Sequence, residues 1–314
     1  MSLLLVIEGP TGVGKTQITL LLARQLNTVV LNADSRQIYR ELPIGTAAPT
    51  KEQLEQVKHF FVGTHSIAQN YSAAMFEHDA LKLLNNLFLT YDTVILSGGS
   101  MMYVDALCNG LDNLPEITSQ TRARVNCLLK EQGIEGVQKE LQRLDPEYYN
   151  EVDLCNPRRV CHAVEICYEA DQPYSRLRKG VRKQRSFDIL KIALNRPREE
   201  LYNRINIRVD QMLGNGLLDE ADKVLAPYKE VGELPNSLNT VGYKELFKVM
   251  TGECELPYAI QMIKQNSRRY AKRQLTWLRG DNDIHWININ EYETDKDIVT
   301  DIVGMLRSVH QHNN

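Results

Sequence analysis

The sequence predicts an α/β fold: a parallel sheet flanked by helices, interrupted by an all-helical subdomain. Three observations predict it. Short apolar runs alternate with helix-period segments up to about residue 108. A glycine-rich loop joins the first run to the first helix. A long strand-free stretch then precedes one further apolar run at 186–195. Alternating strands and helices with short connections read as parallel strands under a helical cover.

The elements follow in order. LLLVIE at 3–8, TVVLN at 28–32, HFFV at 59–62 and DTVILS at 92–97 read as strands, and 15–26, 72–89 and 100–108 as helices. From Ser119 to about Glu169 the residues are helix formers, broken at DPEYY (145–149) and NPRR (156–159). SFDILKIALN (186–195) is a buried strand. Behind it Leu201, Ile205, Val209 and Met212 recur at helical spacing. The expected organisation is a core in two parts, 1–112 and 186–314, with a helical insertion at 113–185. No internal repeat or low-complexity segment appears.

Composition narrows the class. At 314 residues a sizeable core and more than one domain are expected. No run of about 18 apolar residues suggests a membrane span, and the start reads as a strand, with no signal peptide. Six cysteines without a Cys-x-x-Cys pair point to reduced thiols in a cytoplasmic protein and to no zinc site. His59, His65, His78 and His162 also lack metal-ligand spacing. The net charge of −3 hides two acid-free basic clusters, 175–185 with six basic residues and 268–279 with five. Either alone reads as a solvated helix face. Two of them, with a phosphate loop, favour a polyanion such as nucleic acid.

GPTGVGKT at 9–16 carries the chemistry. Gly9, four residues, Gly14, Lys15 and Thr16 form the phosphate-binding loop pattern, which makes the sheet P-loop NTPase-like. Gly9, Pro10, Thr11, Gly12, Val13 and Gly14 line such a loop, whose backbone N–H groups turn toward phosphate oxygens, and the helix N-terminus adds positive charge. Lys15 would bridge phosphates and Thr16 would hold Mg²⁺ or a phosphate oxygen. A nucleoside triphosphatase also needs an Asp ending a neighbouring strand. Here DTVILS ends in Ser97-Gly98-Gly99-Ser100, and Asp34 instead comes after the second strand. Strand carboxyl ends face the ligand crevice, so Asp34 is placed opposite the phosphates; its bland alternative is a turn cap. Arg204 and Arg208, four apart on one helix face, either reach the phosphates or form surface ion pairs.

With these residues assembled, the chain resembles the bacterial tRNA dimethylallyltransferases, also called tRNA isopentenyltransferases, over nearly its whole length. The resemblance rests on GPTGVGKT, NADSRQIYRELPIGTAAP, YSAAMFEHDA, SGGSMMYVDALCNGL, NPRRVCHAVEI, RINIRVDQMLGNGLLDEA, NTVGYKEL and YAKRQLTWLRG, in the family's order. The sequence departs from the family pattern at Ala48 (usually Lys), Phe60, Gly63, Met75 and Ser100.

The resemblance implies an Mg²⁺-dependent transfer of a dimethylallyl group from its diphosphate to the exocyclic amine of the adenine 3′ to the anticodon. It gives Asp34 the role of proton acceptor, Arg208 a hold on the diphosphate, and Thr16 a place at the metal. It also implies tRNA contacts from Asp34, Ser35, Arg36 and Gln37, from Arg158, Arg159, Val160, Cys161 and His162, and from Asn239, Thr240, Val241, Gly242, Tyr243 and Lys244. Lys272, Arg273, Gln274, Leu275, Thr276, Trp277, Leu278 and Arg279 join them, with Ser100 and Arg122. Trp277 is read as a stacking platform or, more commonly for its type, a core residue. The helical insertion would grip the anticodon stem-loop. The expected partners are tRNA and dimethylallyl diphosphate, with no membrane, in a cytoplasmic monomer. Two other readings stand beside this one: a phosphate-loop small-molecule kinase, and a non-catalytic RNA-binding protein.

Overall fold

Six strands form one wholly parallel sheet in the order β3-β2-β4-β1-β5-β6. They are β1 (Leu3–Glu8), β2 (Val30–Asn32), β3 (His59–Phe60), β4 (Thr93–Ser97), β5 (Asp188–Asn195) and β6 (Ile284–Asn288). The structure is a computed structural model and describes residues 2–231 and 234–312, without the side chains of 310–312. The helices are α1 (Lys15–Gln25), α2 (Lys51–Gln56), α3 (Ala73–Leu87), α4 (Met101–Asn109), α5 (Ser119–Leu144), α6 (Pro146–Glu151) and α7 (Pro157–Ala170). They continue with α8 (Tyr174–Leu177), α9 (Arg198–Gly214), α10 (Leu217–Leu225), α11 (Tyr243–Met250), α12 (Leu256–Leu278) and α13 (Asp295–His312).

β1 shows why the sheet is buried on both faces. Its side chains alternate, so Leu4 and Val6 enter one core with Leu31, Leu96 and Phe76. Leu3, Leu5 and Ile7 enter the other with Ile18, Leu22, Ile298 and Ile302. A strand between two helical layers needs apolar residues at every position, and this run supplies them until Glu8.

The strand β6 escaped the sequence pattern. It is an edge strand paired only with β5, and it leaves His285, Trp286 and Asn288 exposed. With one face against the core, its apolar content is too thin to signal a strand.

The chain forms two compact units, Met1–Cys108 with Arg185–Asn314, and Asn109–Gln184. The second holds α5 to α8 around Val125, Val137, Leu141, Val160, Ala163 and Val164. Asp145 is its buried polar post: it accepts from the Tyr148 amide at 3.0 Å and from the Ser175 amide and hydroxyl at 2.7 and 2.8 Å. In the first unit, Arg185 donates to the carbonyls of Ala106 and Leu107 at the end of α4 and to Glu77. One member of the first basic cluster is thereby consumed in closing a helix end.

Candidate active site

Everything chemically notable in the first unit gathers at the carboxyl ends of the strands. The loop 9–14 leaves β1 and enters α1. Gly9 has φ 143°, and a Cβ there would lie 2.7 Å from the Leu194 carbonyl oxygen, so only glycine makes this turn against β5. Lys15 Nζ donates to the carbonyls of Gly9 and Pro10 at 2.7 and 3.1 Å, which folds the lysine back over its own loop. Burial, then the neighbouring charge of Arg208, lowers the Lys15 pKa to about 8, against the opposing pull of Asp34 and Glu8. Thr16 comes next, exposed in the first turn of α1.

Across the crevice stands Asp34, just past β2. Its Oδ1 accepts from the amides of Arg36 and Gln37 at 2.9 and 3.3 Å. That oxygen is the turn cap. Among the described residues no donor meets Oδ2, which faces Gly99. The cap thus occupies one oxygen of the carboxylate and leaves the other without a donor. At the end of β4, the Ser97 hydroxyl pairs with Thr19 of α1 at 2.9 Å in place of a metal-binding aspartate. Ser100 is buried; its hydroxyl donates to the Ser35 hydroxyl at 2.9 Å and accepts from the Ser35 amide at 2.8 Å.

Three arginines frame the loop. Arg204 Nε donates to the Gly12 carbonyl and Arg196 Nε to the Val13 carbonyl, each at 2.8 Å. Arg208 lies one turn beyond Arg204 on α9, and its Nη2 is 3.4 Å from the Thr46 carbonyl. Crowding away from water lowers its pKa and the Asp34 charge raises it. Lys15, Arg208 and Asp34 therefore sense one another across a shared space. Glu8, buried behind the loop, has its pKa raised to about 7 by burial, against the pull of Lys191. Lys191 itself is paired with Asp281 at 2.6 Å.

The IPP transferase family model matches residues 37–281. The chain belongs to this family. It is 52% identical to tRNA dimethylallyltransferase 1 of Bacteroides thetaiotaomicron over 94% of each chain. It is 49% identical to tRNA dimethylallyltransferase 1 of Phocaeicola vulgatus over 98% of each. Among solved structures it is similar to a full-length tRNA isopentenylpyrophosphate transferase from Bacillus halodurans, with 33% identity, a TM-score of 0.71 and 99% of each chain covered. A eukaryotic dimethylallyltransferase acting on tRNA matches with 26% identity and a TM-score of 0.76, over 92% of this chain and 74% of that one. Membership of this family sets aside the small-molecule kinase and the non-catalytic RNA-binding protein.

The remaining positions expected of an IPP transferase divide by exposure. In the second unit Arg122, Arg158, Arg159 and His162 are exposed, and Arg122 and His162 both approach Glu165, at 4.0 and 3.9 Å. Cys161 is partly covered. In the first unit Lys272, Arg273, Thr276, Trp277 and Arg279 are exposed, as is Asn239, while Thr240, Val241, Lys244 and Leu275 are partly so. Trp277 is 43% exposed, so its expected place in the core is corrected: it stands on the outer face of α12.

Besides the buried Ser100, four side chains expected to touch RNA are turned inward. Val160 and Tyr243 are fully buried, and Leu278 and Gln274 nearly so. Each sits at the core-facing period of its helix, so it holds an element in place and offers no surface to a partner. Gln274 has a second task that its sequence context hides. Its Oε1 accepts from the Thr11 amide and its Nε2 donates to the Gly99 carbonyl. Tyr270, which opens the YAKRQLTWLRG stretch without an expected role, donates to that same carbonyl at 3.0 Å. No local pattern announces such a residue, because its partners lie far away in the chain.

Proposed function

We propose that this IPP transferase moves a dimethylallyl group from dimethylallyl diphosphate to the exocyclic amine of the adenine 3′-adjacent to the anticodon of tRNA. The observation that carries this reading is the grouping of Lys15 and Arg208 opposite the open Oδ2 of Asp34. Two cations beside a phosphate loop suit a diphosphate leaving group, and a carboxylate facing them suits the nucleophile.

The allylic C–O bond breaks, its electron pair leaves with the diphosphate, and the carbon bonds to the adenine nitrogen. Loop amides, Lys15 and Arg208 stabilise the departing charge. The amine is a poor nucleophile because its lone pair is delocalised. Asp34 Oδ2 orients it by accepting its N–H and takes the proton as the C–N bond forms.

The donor set suits Mg²⁺. Among the described residues no group of three His, Cys, Asp or Glu side chains forms a protein-only metal cage. A hard cation that keeps its waters needs only the exposed Thr16 hydroxyl and diphosphate oxygens. Mg²⁺ bound there supplies further charge neutralisation to the leaving group.

The exposed basic residues of both units, Arg122, Arg158, Arg159 and His162, then Lys272, Arg273 and Arg279, serve the anticodon stem-loop, and Trp277 offers a face to an unstacked base. The target adenine must leave its stack to reach Asp34. No described helix is long and apolar enough to cross a membrane, and we take the working form to be a cytoplasmic monomer. The test is incubation with purified tRNA and prenyl-labelled dimethylallyl diphosphate, and separately with γ-labelled ATP. Label recovered on adenosine after nuclease digestion supports the reading. Label passed from ATP to a small acceptor, or tRNA binding without transfer, refutes it.

A further inference from the structure

We propose that Glu220 is a positioning residue for Arg208 and Gln37, acting through the turn at 43–47; this rests on the diphosphate site proposed above. Glu220 stands in the first turns of α10 and enters no ion pair among the described residues. Its carboxylate takes three donors instead. Oε2 accepts from the Ile44 amide at 2.8 Å, and Oε1 from the Gly45 amide at 2.8 Å and from the Tyr243 hydroxyl.

Each partner is locked. Tyr243 is fully buried, and burial together with the Glu220 carboxylate raises its pKa far above the ordinary phenol range, so it remains a donor. A Cβ at Gly45 would lie 2.5 Å from the Tyr243 hydroxyl oxygen, so only glycine fits between the phenol and the turn. The turn closes through Ala47 N–H to the Ile44 carbonyl at 2.9 Å and Ala48 N–H to the Pro43 carbonyl at 3.0 Å. Ala47 takes a φ of 47° to do so, a left-handed conformation that a non-glycine residue holds only under constraint.

With its amides fastened to Glu220, the turn presents carbonyls to the site. Gln37 Nε2 donates to the carbonyls of Thr46 and Ala47 at 3.0 and 3.1 Å. Arg208 Nη2 approaches the same Thr46 carbonyl at 3.4 Å. Gln37 in turn gives its amide to Asp34 Oδ1 at 3.3 Å. Three donors on two oxygens require a carboxylate. A glutamine at 220 would aim its NH₂ group at a donor, release part of the turn and move the acceptors that steady Arg208 and Gln37.

The experiment is a double-mutant cycle read by calorimetric binding of inorganic diphosphate to the full chain, with single-turnover prenyl transfer as a second readout. Glu220→Gln should weaken diphosphate binding about tenfold, and Tyr243→Phe should act in the same direction but less. In an Arg208→Ala background neither should weaken it further. Tyr243→Phe removes one oxygen from a filled site and carries the cycle if Glu220→Gln does not fold. Losses that multiply with Arg208→Ala mark a merely structural role and overturn the proposal. So does parent-level diphosphate affinity in both Glu220→Gln and Tyr243→Phe. Diphosphate binding does not require transfer, so an inactive parent would count against the proposed reaction and not against this relay.

Discussion

The amide of Thr11 donates to Gln274 Oε1 at 2.8 Å, across 263 positions of sequence. The other end of that side chain donates to the Gly99 carbonyl at 2.7 Å. One buried amide thus ties the phosphate loop, the turn after β4 and the helix α12 together. Gln274→Ala would strand the Thr11 N–H, at a cost of about 1–3 kcal/mol if water does not enter, and leave the Gly99 carbonyl to Tyr270 alone. The expected outcome is a lower melting temperature and weaker dimethylallyl diphosphate binding, measured by thermal unfolding and calorimetry. Unchanged diphosphate affinity would show that Thr11 keeps its place without this tie.

The exposed face of the same helix should behave differently. Lys272, Arg273 and Arg279 point outward from α12 and its end. Replacing all three with Ala should weaken tRNA binding and leave diphosphate binding and melting nearly unchanged. Each lost phosphate contact should flatten the slope of log affinity against log salt by about 0.7–0.9. Equal losses of tRNA and diphosphate affinity would make this face part of the fold's support.

The contrast between these two variants marks where the sequence was legible. Strongly patterned features read well: the apolar run before Gly9, the loop with Lys15 and Thr16, and the period Leu201, Ile205, Val209, all three buried. The position of Asp34 past β2 was also readable, because the residue after a parallel strand arrives at the crevice. Exposure along α12 was not. YAKRQLTWLR reads as one motif, but a helix turns about 100° per residue, so Gln274 and Leu278 face in while Arg273 and Trp277 face out. The short apolar content of β6 concealed an edge strand. Glu220, Tyr270 and Arg196 were invisible for a different reason: their work lies in long-range hydrogen bonds, which leave no periodic trace.

Lys15 makes the site sensitive to alkaline pH. Its pKa is lowered to about 8 by burial and by Arg208, so the ammonium form prevails below that value and the neutral amine above it. A diphosphate favours the charged form. Affinity for dimethylallyl diphosphate should hold steady from pH 7 to about 8, then fall by up to about tenfold per pH unit. Near pH 8 binding should take up a proton, visible as a binding enthalpy that changes with the ionisation heat of the buffer. Lys15→Met should bind weakly and lose both effects. A parent affinity that stays level to about pH 9.5 would mean that Lys15 keeps its proton without the ligand.

The final prediction separates the two sides of the crevice. Asp34 holds its turn with Oδ1, and in the proposed reaction Oδ2 takes the proton of the amine. Asp34→Asn keeps the size and an oxygen that can still cap the amides of Arg36 and Gln37, but it loses charge and basicity. Losing a general base lowers the rate by about 10²–10⁴. Single-turnover transfer should fall within that range, with tRNA and diphosphate affinities near the parent values and the melting temperature little changed. Thr16→Ala touches the other side, where the proposed reaction places the diphosphate and its metal. It should weaken Mg²⁺-dependent diphosphate binding and slow transfer, with tRNA affinity kept. The pattern matters more than either rate alone: a loss in chemistry without a loss in binding belongs to the proton acceptor, and a loss in both belongs to the leaving-group side. If Asp34→Asn transfers prenyl at the parent rate, Oδ1 is the only working oxygen of this carboxylate, and the amine gives its proton to water.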